Sequence, residues 1–340
     1  MLKYNLLNEG GLCMKISNLK VVCLSVALAS SIIAGVVIQK NNEFKVTPPT
    51  KNEQLQNYDD IIDTINLTGE YIKSEEEFNY VLDRIKYNRK KNDKEYYISN
   101  VTIQDIELEN YSIETKQKLN QFLIDLGRIS ELNAISLSLE DISFLENTDI
   151  GELNLNDNKI TNIETLSTIK NLAYLDLSNN KISDLSPLSN LNLFTLYLGS
   201  NNITDITPLS NLMRLVKLDL SYNNISNLSP LKEPMIITNL KLIHNNITDL
   251  TPLSNLGYLI TLDVSENNIT NLNGLENMFS LDYITLGGNN IENIDAIIPL
   301  IKRKNINVVF SSLSEDNISL IEDTINNKDN VFIKIKNIYH

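Results

Sequence analysis

Tyrosine, aspartate and lysine side chains recur at two fixed places of a sequence pattern that repeats about every 22 residues. Both places flank the first leucine of a Leu-x-Leu pair, one residue before it and one residue after it. Tyrosine is enriched among the few residues that dominate protein interfaces, and opposite charges on neighbouring strands form ion pairs. The side chains therefore suggest noncovalent binding. The candidate ligand-binding residues are Tyr174, Asp176, Tyr197, Lys217, Asp219, Lys241, Asp263 and Tyr283.

Other residue types argue against catalysis and bound cofactors. The chain has two histidines, His244 and His340, and two cysteines, Cys13 and Cys23. His244 has no Cys, Ser or second His at a matching spacing, so we interpret it as a surface variant of the repeat. The sequence also contains no phosphate-binding loop and no glycine-rich dinucleotide turn. We expect a protein that is not an enzyme, with no catalytic residues, no metal and no cofactor.

The overall charge excludes a second class of function. The 340 residues include 29 Lys and Arg against 43 Asp and Glu, for a formal net charge of −14. General nucleic-acid binders depend on basic side chains that neutralise phosphates. We therefore expect no nucleic-acid partner.

Asparagines define the period that positions the candidate residues. Each is the sixth residue of the phrase Leu-x-Leu-x-x-Asn-x-Ile, and successive copies are 21 or 22 residues apart. The alternating leucines predict a short strand with one apolar face. An asparagine amide can both donate to and accept from backbone groups where the chain leaves the strand. The sequence therefore predicts stacked coils with a polar ladder of Asn158, Asn180, Asn201, Asn223, Asn245, Asn267 and Asn289.

This phrase resembles the leucine-rich repeat family, in the 22-residue form typical of bacterial internalin-like surface proteins. The resemblance covers about residues 132–310. It implies an α/β solenoid with a parallel β-sheet on the concave face and 3-10 or short helical segments on the convex side. It also implies a protein partner, or alternatively a glycan, bound through the concave face. Because the chain has no Leu-Pro-x-Thr-Gly sorting motif, the resemblance does not extend to host-cell invasion.

Mixed helix and strand signals flank the repeats. Residues 58–131 predict an α/β N-terminal cap, with a capping box at Ser74–Glu77, a strand at 96–103 and a helix at about 112–126 ended by Gly127. An independent binding role for this unit is the alternative. Residues 311–340 predict a C-terminal cap with a helix at 314–326 and a strand at 331–338. The outermost repeat copies are expected at Leu132-x-x-Ile135-x-Leu137, 18 residues ahead of the next copy, and at Ile306-x-Val308.

The charged candidates have two interpretations. Asp219, Lys241 and Asp263 are predicted on adjacent strands, where they could simply neutralise one another. Tyr174 and Tyr197 are also predicted on adjacent strands, beside the small residues Ser178 and Gly199, and could anchor a partner. The function expected is recognition through the concave face; the alternative is a structural envelope scaffold without a dedicated ligand.

The N-terminal region predicts a membrane location. Residues 21–38 carry no charge and follow Lys15 and Lys20, which is typical of a transmembrane signal-anchor with a cytoplasmic tail and extracellular repeats. Cleavage of a signal peptide near 27–29 and secretion is the alternative. Residues 1–40 would form the tail and anchor, with a possible true start at Met14, and residues 41–57 a polar linker.

Overall fold

The computed structural model describes residues 5–7, 11–13, 36–39, 43–46, 64–69, 72–91, 100–233, 235–303, 306–310, 313–325 and 332–335. The strands are β1 (Asn5–Leu7), β2 (Gly11–Cys13), β3 (Val36–Gln39), β4 (Glu43–Val46), β5 (Thr64–Thr68), β6 (Asn100–Gln104), β7 (Arg128–Asn133), β8 (Asp149–Asn154), β9 (Tyr174–Asp176), β10 (Thr195–Tyr197), β11 (Lys217–Asp219), β12 (Asn239–Lys241), β13 (Thr261–Asp263), β14 (Tyr283–Thr285), β15 (Asn307–Phe310) and β16 (Phe332–Ile335). The helices are α1 (Glu75–Lys91), α2 (Ile113–Leu126), α3 (Ile298–Arg303) and α4 (Glu315–Ile325).

The strands follow chain order across one sheet. β1 and β2 pair with each other, whereas β3 to β16 form a single sheet in which each strand neighbours the next. β3 and β4 are antiparallel and the pairs from β4 onward are parallel. Parallel neighbours require the chain to return across one side of the sheet after every strand. The repeats therefore stack as coils, and the predicted α/β solenoid with a parallel sheet on its concave face is confirmed.

Leucine and isoleucine fill the interior of each coil. The two leucines of the Leu-x-Leu pair point inward, as Leu175 and Leu177 do in the coil that contains β9. The same coil also buries Ile182, Leu185 and Leu188. Burying one such side chain contributes about 1.5–3 kcal/mol relative to leaving it in water. Because each coil covers the next, one continuous core runs through the described part of the solenoid.

The predicted asparagine ladder is present and buried. Each of the seven amides is 5–8% exposed. Asn223 illustrates the geometry: its Nδ2 donates to the carbonyl oxygens of Leu198 and Leu220, both at 3.0 Å. Its Oδ1 accepts from the backbone N–H of Ile203 at 3.0 Å. Each amide therefore joins its own coil to the preceding one.

Short 3-10 helices cover the convex side. Four of them carry proline in their first turn, at Pro187, Pro208, Pro230 and Pro252. In these four helices, an Asp or Asn side chain two residues before the first helical residue accepts the backbone N–H of that first residue. Asp184, for example, accepts the N–H of Ser186 at 2.8 Å. The 3-10 helices are Leu108–Asn110, Ser143–Leu145, Glu164–Thr168, Ser186–Leu188, Thr207–Asn211, Ser229–Leu231, Thr251–Asn255 and Asp295–Ile297.

The unit before the repeats contributes to the same sheet. β5 and β6 precede β7 in parallel register, and α1 and α2 lie between these strands in the chain. Ser74 accepts the backbone N–H of Glu77 at 3.2 Å, as a capping box requires. The Glu77 carboxylate, however, accepts the N–H of Lys73 at 2.7 Å and not that of Ser74, which is the donor in a standard capping box. Ser112 caps α2, and Gly127, with φ of 78°, ends it.

The predicted registers of the two outermost repeat copies are wrong. Leu132 pairs with Leu153, so the first copy lies 21 residues ahead of the next rather than 18. Ile135, expected to point inward, is 38% exposed. At the other end Val308, not Ile306, pairs with Ile284, which shifts that copy by two residues. Backbone pairing with the neighbouring strand decides the register where the sequence phrase is degenerate.

The predicted membrane anchor is not supported, so the localisation predicted from it is not supported either. Residues 36–38, the end of the expected transmembrane helix, belong to strand β3. None of the helices in the described part of the chain is both long and apolar enough to cross a membrane. Residues 21–35 of the predicted anchor, the cleavage region at 27–29 and Met14 lie outside the described residues. The same holds for the predicted linker 41–57, except for β4.

Candidate binding surface

Two rows of side chains run across the concave face, one on each side of the first leucine of every pair. The first row is Glu131, Glu152, Tyr174, Thr195, Lys217, Asn239, Thr261 and Tyr283. The second row is Asn133, Asn154, Asp176, Tyr197, Asp219, Lys241, Asp263 and Thr285. Every predicted binding residue lies in one of these rows.

The two central tyrosines contact each other. The rings of Tyr174 and Tyr197 meet edge to face, with centroids 5.7 Å apart and planes at 87°. Such pairs add about 0.5–1.5 kcal/mol beyond the area they bury, and the contact holds both rings in place. Beside them, a Cβ built on Gly199 would come no closer than 3.5 Å to any heavy atom outside its neighbours. Gly199 adds no side chain beside the aromatic pair, and a methyl group there would be in ordinary van der Waals contact with the Ser221 carbonyl oxygen and the Asp219 carboxylate, at 3.5 and 3.7 Å.

Tyr174 is partly buried and has carboxylates nearby. Burial first, and then the charge of Asp176, raise the pKa of Tyr174 to about 12. Glu152 and Glu131 act on this pKa in the same sense. The Tyr174 hydroxyl consequently stays protonated, as a hydrogen-bond donor, throughout the neutral pH range.

Three of the candidate carboxylates also have a role in the fold. Oδ1 of Asp176 accepts the backbone N–H of Ser178 at 2.9 Å, and Asp219 and Asp263 make the same bond two residues ahead. Asn154 makes it with an amide oxygen in the preceding coil, at 3.1 Å. The fold therefore needs a side-chain oxygen at this position to accept the N–H two residues ahead, and an uncharged amide oxygen is sufficient for that bond.

The charges in the second half of the face are partly paired. Lys241 Nζ lies 3.7 Å from Asp219 Oδ2, which realises one of the two predicted cross-strand pairs. Asp263 instead accepts the hydroxyl of Ser265 at 2.6 Å. With the Lys241 side chain 57% exposed, this pair contributes under about 1 kcal/mol.

The remaining candidates lie apart from the tyrosine pair. Lys217 is exposed, two strands away from Tyr174 in the same row. Tyr283 is 41% exposed and lies five strands from Tyr174, which corresponds to about 24 Å at the usual strand spacing. The structure therefore gathers Tyr174, Tyr197 and Asp176 into one cluster and does not bring Tyr283 to it.

Sequence reasoning missed two features of this surface. Glu131 enters the first row because the first repeat begins earlier than expected; the 21-residue spacing from Leu132 to Leu153 was the available signal. Tyr222 and His244 stack at the end of the strands, with ring centroids 5.3 Å apart and planes at 28°. Both have positive φ, 56° and 54°, at the residue before a ladder asparagine. No sequence rule signals bulky side chains at that place.

Comparison with known proteins identifies the repeat. A family model described as leucine-rich repeats, in two copies, matches residues 152–190 and 191–233. No match was found among curated protein sequences. The crystal structure of internalin C2 from Listeria monocytogenes is 31% identical over 57% of this chain and 83% of that chain, with a TM-score of 0.51.

Two other solved structures are also similar. An internalin (InlF) from Listeria monocytogenes is 26% identical over 65% of this chain and 75% of that chain, with a TM-score of 0.41. The LRIM1/APL1C complex is 20% identical over 67% of this chain and 41% of that chain, with a TM-score of 0.51, and shows the fold alone. With its stacked coils, its buried asparagine ladder and this degree of identity to internalin C2, the chain belongs to the leucine-rich repeat proteins, as an internalin-like member.

Proposed function

We propose that this chain is a non-catalytic recognition protein that binds a protein partner through its concave face, with Tyr174 and Tyr197 as the central anchor. Leucine-rich repeat proteins generally mediate protein binding, and the concave face is the usual binding surface of solenoids. The observation that carries the proposal is the edge-to-face contact of the Tyr174 and Tyr197 rings on adjacent strands of the concave face. A glycan ligand gains no support from this surface.

An ordered tyrosine pair suits protein recognition for a physical reason. A tyrosine presents a large apolar ring and a polar hydroxyl while losing only two side-chain torsions on binding. Mutual contact restricts the rings of Tyr174 and Tyr197 before any partner arrives, so less conformational entropy is lost when it binds.

The units beside the repeats are proposed to cap the solenoid. Asn120 of α2 donates to the carbonyl oxygens of Phe144 and Glu146 in the first coil, at 3.0 and 2.8 Å. At the other end, Asn317 of α4 donates to the carbonyl of Glu292 at 3.1 Å. These bonds support residues 58–131 and 311–340 as caps that shield the apolar ends of the array.

The test begins with a partner isolated with the full chain as bait and then purified. Calorimetry would compare the wild type with the double variant Tyr174→Ala and Tyr197→Ala. Loss of two anchor residues is expected to weaken binding by about 30-fold or more, since hot-spot truncations cost about 2 kcal/mol or more. Tyr258→Ala is the matched control, because Tyr258 is 64% exposed in the loop before β13 and off the rows. An unchanged affinity in the double variant would refute the proposal. Failure to find any saturable partner would support a structural scaffold.

A further inference from the structure

Charge is unevenly distributed along the concave rows. Within the two rows, strands β7, β8 and β9 contribute one carboxylate each, from Glu131, Glu152 and Asp176, and no cationic side chain. Strands β11 to β13 alternate in sign, in the order Lys217, Asp219, Lys241 and Asp263. One half of the face is therefore acidic and the other half is nearly neutral.

The acidic half is also the half that holds the tyrosine pair. Asp176 follows Tyr174 by two residues, and Glu152 is the cross-strand neighbour of Tyr174 in the first row. Neither carboxylate forms an ion pair with any residue that the structure describes. The nearest cation of the rows, Lys217, lies two strands from Tyr174, or about 10 Å at the usual spacing.

Aromatic rings and carboxylates without an ion-pair partner attract the same kind of ligand. The face of a tyrosine ring is the negative part of its quadrupole and attracts a cation. The carboxylates of Glu152 and Asp176 attract a cation by charge and can accept its hydrogen bonds. The same groups repel an acidic partner. A guanidinium group combines the planar shape that stacks on a ring with the donors that a carboxylate accepts.

We propose that the partner is a basic protein segment that places an arginine or lysine side chain against Tyr174 and Tyr197, beside Glu152 and Asp176. This inference rests on the proposed function and adds the chemical class of the partner to it. The net charge of −14 attracts such a segment over longer range and speeds its encounter.

The preceding repeat shows which substitution removes the charge of Asp176 without removing its hydrogen bond to the backbone. Asp176→Asn removes the charge but keeps the oxygen that accepts the Ser178 N–H, as Asn154 does in the preceding coil. Glu152→Gln removes the second charge from an exposed side chain. Asp263→Asn is the matched control, because it removes one charge from the same row, at a place with the same backbone bond, four strands from Asp176.

The probe is a short peptide of alternating arginine and glycine, added to the full chain with ring-labelled tyrosines and followed by NMR. We expect saturable shifts of the Tyr174 and Tyr197 resonances that disappear at about 0.5 M salt, where the Debye length is only a few ångströms. Removing both charges is expected to weaken peptide binding by about tenfold, since each exposed ion pair contributes up to about fivefold. Asp263→Asn is expected to weaken binding by less than about twofold, because Asp263 lies four strands from Asp176. A matched glutamate and glycine peptide is expected not to bind.

Two outcomes would overturn the inference: equal binding of the acidic peptide, or full binding by the Glu152→Gln and Asp176→Asn variant. Either result leaves the proposed function standing, provided that the alanine variants of the two tyrosines still lose the purified partner. If those alanine variants bind the partner normally, the proposed function itself fails.

Discussion

Replacing one ladder asparagine should destabilise the whole stack, and the structure sets the size of the effect. In Asn223→Ala the backbone N–H of Ile203 loses its acceptor, which the structure supplies from Asn223 alone. The carbonyl oxygens of Leu198 and Leu220 each keep a second amide donor, from Asn201 and Asn245 respectively. One orphaned buried donor costs about 1–3 kcal/mol, and two weakened carbonyl contacts add about 1 kcal/mol. We expect a loss of about 2–4 kcal/mol in the free energy of unfolding.

The chain offers a matched control in the next residue. Asn224 has the same side chain but is exposed, so Asn224→Ala is expected to change stability by less than about 0.5 kcal/mol. Urea unfolding followed by far-ultraviolet circular dichroism would measure both variants. A loss below about 1 kcal/mol in Asn223→Ala, or equal losses in the two variants, would refute the reasoning from orphaned backbone groups.

Three further predictions concern single groups. Gly274 has a φ of 99°, and a Cβ at this residue would lie 2.6 Å from the Leu250 carbonyl oxygen. Gly274→Ala should therefore lower the free energy of unfolding, measured by urea denaturation, by about 2–4 kcal/mol. Gly257→Ala is the control and should change it by about zero, because no atom beyond the chain neighbours lies within 4 Å of a Cβ built there. The pKa of Asp184 is lowered by the hydrogen bonds that its carboxylate accepts from the backbone N–H and then the hydroxyl of Ser186. A carboxyl whose pKa is lowered in the folded state stabilises the fold at pH values above its ordinary pKa of about 3.9, and this stabilisation is lost as the pH falls. The melting temperature of Asp184→Asn should therefore fall less steeply than that of the wild type between about pH 5 and pH 3. Asp176→Asn should lower the pKa of Tyr174 from about 12, as followed by the ring carbon shift in NMR, and Asp263→Asn should leave it unchanged.

The repeat period was sufficient to predict the central part of the surface. Parallel pairing of nearly identical phrases permits one register, so Tyr174, Lys217 and Tyr283, each predicted one residue before the first leucine of a pair, lie in one row. The terminal copies were not predictable in this way. Ala134 replaces the second leucine of the first copy and Leu137 its asparagine, so the 21-residue spacing from Leu132 to Leu153 is the one sequence signal left for a register that pairing with β8 sets.

Other features depend on information that a sequence does not hold. Lys241 has an aspartate on each side at the same strand spacing, and side-chain rotamers place it next to Asp219 rather than Asp263. The apolar run at 21–38 ends in Val36, Val37 and Ile38, which suit a strand as well as a helix. Periodicity alone does not separate these states, and the structure places the three residues in β3.

The most direct test of the account is site-specific photo-crosslinking to the purified partner. A photoreactive amino acid would replace Thr195, which lies in the first row between Tyr174 and Lys217, or Ser254, which is exposed in the convex 3-10 helix Thr251–Asn255. The account predicts a crosslink from Thr195 and none from Ser254. A crosslink from Ser254 without one from Thr195 would contradict it.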